Sequence, residues 1–119
     1  MSNTDPAIEY LGKEVNVIVD RQLGSKDAVS DYIYGVNFGF VPNSFALNGD
    51  EIEAYVLGVK DSIDGFKGQC GAVLHRIDNS GDKLVVWPSD MTFSNEEILT
   101  LTAFQEKESD FEIIRVEEK

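Results

Sequence analysis

Between Tyr34 and Phe40 the chain alternates bulky and small residues: Tyr34, Val36, Phe38 and Phe40 fall two apart, with Gly35, Asn37 and Gly39 between them. A repeat of two belongs to a strand and not to a helix, and aromatics on one parity require a buried face. The interleaved glycines point to a close backbone approach or a bend. Val41-Pro42-Asn43-Ser44 breaks the pattern. Asn48-Gly49 then offers a turn, and Asp50, Glu51 and Glu53 open a strand that continues through Ala54-Tyr55-Val56-Leu57 to about Val59. Carboxylates crowded where a loop becomes a strand suit a hard divalent cation, which takes oxygen ligands.

The remaining segments fit around these two strands. Met1 to Pro6 reads as a frayed start, and Glu117, Glu118 and Lys119 as a solvated tail. Val15, Val17 and Val19 form the inward face of a half-buried strand. The same parity places Arg21 on the valine side, where an inward cation needs an anion. Asp61 to Gly68 reads as a connecting loop and Gln69 to Ile77 as a strand. Asp78-Asn79-Ser80-Gly81-Asp82 is a turn, and Lys83 to Trp87 returns as the second arm of a hairpin. Ser94 and Glu97 have capping-box spacing, Phe93 and Ile98 that of a hydrophobic staple, so a helix starts here. Ile98, Leu101 and Phe104 mark its inward face, to about Glu108. Phe111 to Val116 is a candidate closing strand. Short strands with turns between them and one late helix predict a mainly β (α+β) domain spanning 1–119, a small antiparallel β-barrel with the C-terminal helix packed outside.

Composition limits the partners. A chain of 119 residues with twelve aromatics (seven Phe, four Tyr, one Trp) supports one globular core. Its net charge of −12, with the ten Lys and Arg scattered, argues against nucleic acid and anionic membrane. A phosphorylated substrate is compatible with such acidity when metal ions supply positive charge. The single Cys70, in an apolar run, reads as an inert buried thiol. The N-terminus has no basic and apolar leader pattern, and no apolar run approaches membrane-spanning length, so a cytoplasmic protein is the default expectation.

The segments NFGF and NGDEIEAYVLG resemble the signature region of the soluble, magnesium-dependent inorganic pyrophosphatases, and the likeness runs from about Val19 to Ile114. That family has an N-Y-G-Y segment followed by an acidic run opening a strand. The resemblance implies an OB-like five-stranded barrel and Mg²⁺-dependent hydrolysis of pyrophosphate or a similar small phosphoanhydride, with Mn²⁺ as the alternative ion. It implies metal ligation by Asn48, Asp50, Glu53, Asp78 and Asp82. It places Asp50, Asp78 and Phe38 at catalytic positions, and Arg21, Lys83 and Tyr34 at substrate-binding ones. A homo-oligomer is compatible with it.

The sequence also departs from the family. Phe38 stands where the family has a tyrosine, so that hydroxyl is lost. Gly35 replaces a proline, and Asn48 an aspartate. The Tyr-Lys pair of longer members falls at Glu108 and Ser109, which inverts the local charge. Each site residue also has a plain reading. Asp50 to Glu53 can be a solvated strand end, Asp78 to Asp82 a hairpin turn, and Arg21 and Lys83 surface cations. Phe38 can be core, and His75 a satisfied, partly buried histidine. Glu53 shares parity with Tyr55, Leu57 and Val59; if that face is the barrel interior, its carboxylate needs a cation. The competing function is a pyrophosphatase-like metal-binding or protein-interaction module without catalysis. An acidic OB-like module for single-stranded nucleic acid is disfavoured, because such modules need a basic groove.

Overall fold

The computed structural model describes residues 6–46, 49–77, 81–106 and 110–116. After a 3-10 helix at Pro6–Tyr10 come β1 (Glu14–Arg21), β2 (Asn37–Phe40), β3 (Glu53–Val56), β4 (Gly65–Arg76), β5 (Lys83–Trp87), α1 (Asn95–Thr102) and β6 (Phe111–Arg115). β1 buries Val15, Val17 and Val19 and exposes the residues between them. It hydrogen-bonds along both edges, antiparallel to β2 and to the first part of β4. With β2 on β3, β3 on β5 and β5 on β4, the ring β1-β2-β3-β5-β4 closes. β6 lies outside the ring, paired with the second half of β4.

A mainly β barrel with a helix outside is therefore present, and one seam differs from the antiparallel expectation. β3 and β5 run parallel, with Glu53 opposite Lys83 and Tyr55 opposite Val85. They are not consecutive: the long β4 intervenes in sequence, and its return through the hairpin brings β5 beside β3 in the same direction.

Several boundaries also shift. β4 starts at Gly65 and not at Gln69, because Gly65 to Gly68 bond to β1. β2 is shorter than the aromatic alternation, which begins at Tyr34. β3 ends at Val56, before Val59. Pro6 opens the 3-10 helix instead of belonging to a frayed start. The capping box forms as expected, Ser94 Oγ accepting from Glu97 N and Glu97 accepting from Ser94 N. The helix stops at Thr102, short of Glu108. Beyond it, Gln105 and Glu106 hydrogen-bond to tyrosines and cations on the barrel wall, which draws the chain off the helical path.

The barrel has two apolar faces. The interior holds the β1 valines with Ala54, Val56, Cys70, Leu84 and Val86, and Ala7 of the 3-10 helix packs into the same cluster. The outer wall holds Tyr34, Phe38, Tyr55, Leu57, Val85 and Trp87, covered by Ile98 of α1 and Phe111 of β6. No β1 residue belongs to that second cluster, whereas the helix does, which marks it as the outside. Glu53 and Lys83 share parity with Tyr55 and Val85. Their side chains therefore belong to the outer wall, not to the interior that the conditional reading of Glu53 considered.

Gly39 explains the glycine in the founding pattern. It sits opposite Val19, and a Cβ there would fall 1.8 Å from the Ile18 carbonyl oxygen. Backbone cannot yield as a flexible side chain can. Cys70 supplies a readout, since it is fully buried and burial pushes its thiol up to about 12. Gly39→Ala is expected to cost about 1–3 kcal/mol by overpacking, lowering the urea midpoint. At pH 8, Cys70 should resist thiol reagents in the folded wild type and label faster in the variant.

Candidate functional site

The parallel seam concentrates charge. Asp50, Glu51 and Glu53 lead into β3, Asp82 and Lys83 into β5, and Arg76 ends β4; together they line a cavity of about 220 Å³. A second concavity, of about 260 Å³, continues from Asp50, Glu51 and Glu53 to Asp20, Gly39 and Phe40. Arg21 arrives at a register shift after Val19, and its guanidinium lies 4.0 Å from Glu53. Lys83 Nζ is also 4.0 Å from Glu53. Of the residues singled out from sequence, Arg21, Asp50, Glu53, Asp82 and Lys83 thus gather in one region. Asn48, Asp78, Glu108 and Ser109 lie outside the described residues.

Phe38 and Tyr34 stand beneath this region as fully buried rings. Phe38 is stacked on Tyr34 with centroids 5.9 Å apart, and touches Tyr55 at 4.7 Å. Arg21 and Lys83 lie 5.7 and 5.6 Å from the Phe38 centroid, so each cation sits over the ring. Tyr34 directs its hydroxyl to Asp27 at 2.8 Å and to Gln105 at 3.2 Å. Burial, then the Asp27 hydrogen bond, holds its acidity far weaker than an ordinary phenol's.

Asp82 is committed to the hairpin. Its side chain is buried; Oδ1 accepts from Arg76 N at 3.0 Å, and Oδ2 faces His75 Nδ1 at 2.9 Å. This arrangement braces the two arms and gives His75 the satisfied role expected of a lone, half-buried histidine.

The residue that sequence reasoning missed is Glu106. Its carboxylate is 1% exposed, although acids are almost never so buried without partners. Oε1 accepts from Arg76 Nη1 at 3.1 Å; Oε2 accepts from Tyr55 OH at 2.7 Å and from Lys83 Nζ. Gln105 Nε2 donates in turn to the Tyr55 hydroxyl at 2.6 Å. Tyr55 stays protonated, its acidity suppressed by burial and then by the Glu106 charge. The sequence held half of the signal. The family resemblance points to an anionic inversion after the helix, at Glu108 and Ser109, and no local pattern tells Glu106 from Glu108.

Mg²⁺ requires oxygen donors, and Asp50, Glu51 and Glu53 provide carboxylates to one cavity. Among the described residues, however, no three acids, histidines or cysteines are grouped closely enough to hold a metal ion. The donor chemistry suits the ion, and the described donors alone do not complete a site.

The Tyr55 hydroxyl is the neutral member of the Glu106 cluster, so it can be removed with little change of shape. Tyr55→Phe is expected to destabilise the protein by about 1.5–3 kcal/mol, the usual worth of a hydrogen bond to a charged group. Urea denaturation checks this; an unchanged midpoint would mean that Glu106 does not rely on Tyr55.

Comparison with known proteins bears on the fold. No protein-family profile and no curated protein sequence matches the chain. Solved structures do. It is similar to the inorganic pyrophosphatase from Ehrlichia chaffeensis at TM-score 0.62 and 18% identity, over 79% of this chain and 80% of that one. The enzyme from Helicobacter pylori superposes at TM-score 0.62 and 17% identity, over 87% and 82%. That from Coxiella burnetii gives 0.57 and 16%, over 76% and 74%. Closed barrel, outer helix and these superpositions agree: the chain has the fold of the soluble inorganic pyrophosphatases.

Proposed function

We propose that the chain hydrolyses pyrophosphate or a similar small phosphoanhydride, slowly, at the cavity between Glu53 and Lys83. The observation that carries this reading is the convergence of Asp50, Glu51 and Glu53 with Arg76 and Lys83 around one cavity. Cleaving a phosphoanhydride requires offset phosphate charge and an activated water. Mg²⁺ held by carboxylates would lower the pKa of bound water and neutralise phosphate oxygens. Asp50 and Glu53 would hold it, with Asn48 and Asp78 as the further ligands that the family resemblance assigns. Lys83 and Arg76 would pair with phosphate oxygens, and Arg21, near Glu53, would orient the substrate. The rate is limited by three features: the hydroxyl missing at Phe38, the amide at Asn48, and the engagement of Arg76 and Lys83 by Glu106.

That last feature also favours a second reading, a non-catalytic module on the pyrophosphatase fold. A buried acid already offsets the cations that the substrate would need.

Phosphate release from pyrophosphate, measured with Mg²⁺ and then Mn²⁺, separates the two. The first reading expects slow turnover that needs millimolar-range metal and falls about tenfold or more in Asp50→Asn. Absence of hydrolysis with both ions would leave the second. Asn48→Asp provides an independent check. If Asn48 is a ligand as the resemblance implies, a carboxylate in place of its amide should tighten Mg²⁺ binding about tenfold, equivalent to ~1.4 kcal/mol, at the expense of repulsion in the metal-free protein. Mg²⁺-induced shifts in Tm should then be larger for the variant; equal shifts would remove Asn48 from the metal site.

A further inference from the structure

Three donors converge on the Glu106 carboxylate from two strands and a hairpin arm: Arg76 at 3.1 Å, Tyr55 at 2.7 Å, and Lys83. Two are full cations and one is a hydroxyl kept protonated by its surroundings. All come from the rigid barrel wall, where β3, β4 and β5 are joined side by side. Glu106, by contrast, follows the last turn of α1, its amide bonded to Thr102 O at 2.9 Å. The wall therefore presents a preformed anion receptor, and the anion is delivered by a separate segment. A carboxylate and a phosphate both offer oxygens to such donors, and the phosphate offers more of them with more charge.

We propose that Arg76, Lys83 and Tyr55 form a subsite for a phosphate-like oxyanion, and that the chain's own Glu106 fills it as an intramolecular competitor. Glu106 has to leave before phosphate can enter. The cavity beside it gives the incoming anion its approach past Arg76 and Lys83, against the charge of Asp50, Glu51, Glu53 and Asp82, which line the same cavity. The choice of phosphate rests on reading this cavity as a phosphoanhydride site, but the subsite itself needs neither turnover nor metal. In wild type, binding is weakened because an acid held in place by the same chain must be displaced.

The test is phosphate binding in the presence of a metal chelator, at constant ionic strength, which separates this inference from hydrolysis. Inorganic phosphate is titrated by calorimetry into wild type, Glu106→Ala and Glu106→Gln, with chloride as the control anion. The expected result is at least a tenfold gain in phosphate affinity for Glu106→Ala. Glu106→Gln, which keeps the shape and loses the charge, should show a smaller gain. Chloride should produce neither, and adding Lys83→Met to Glu106→Ala should abolish the gain. Phosphate affinities in both Glu106 variants equal to wild type would overturn the proposal. If neither variant folds in plain buffer, phosphate is expected to restore folding by replacing the missing charge, and failure to do so would overturn it equally.

Discussion

Closure of the barrel depends on β1, which joins β2 along one edge to the first part of β4 along the other. An open sheet would leave a row of amides and carbonyls unpaired, and closure removes that edge within the ring. It requires the β1 and β2 backbones to meet at Gly39, where any side chain would strike the Ile18 carbonyl. It also commits one parity of every ring strand to a narrow apolar interior. Aliphatic residues and Cys70 fill that space, so the large buried aromatic residues are left for the outer wall.

The outer wall is consequently where polar chemistry can occur. It needs a cover, and α1 contributes to one through Ile98, which is buried in the same cluster as Tyr55, Leu57 and Val85. Charged side chains at the β3 and β5 starts fall just beyond the aromatic floor, close enough to interact and partly shielded from water. Shielding makes each charge depend on its partners. Lys83 and Arg76 are well covered, and Glu106 almost completely so. An isolated carboxylate in that position would cost several kcal/mol, and the three donors offset this. Stability and function compete here, because the contacts that make Glu106 tolerable occupy the cations a phosphate would need.

Much of the fold was legible because its signals are local. The β1 valines, the Ser94 capping box and the Lys83 to Trp87 hairpin arm each declare themselves within a few residues. The gathering of Arg21, Asp50, Glu53, Asp82 and Lys83 is not a local signal, since the residues come from three separated segments; only the family likeness pointed to it. The helix end and the start of β4 were not legible. Both are decided by partners far along the chain: Tyr55 for Gln105 and Glu106, and β1 for Gly65 to Gly68.

The sequence by itself determined that aromatics and valines alternate along strands, that one capped helix follows them, and that acids cluster after Asn48. Those are properties of neighbouring residues and need only backbone geometry. Tertiary structure alone decided which face of β3 meets the helix, that β3 and β5 run parallel, and that Asp82 is spent on His75 and the Arg76 amide. It alone singled out Glu106 from the acids around it. Whether a carboxylate is solvated or buried against Arg76, Lys83 and Tyr55 depends on desolvation and on distances across 23 to 51 residues of chain. No local pattern carries that information, because the energy of a charge is set by its surroundings and not by its neighbours in sequence.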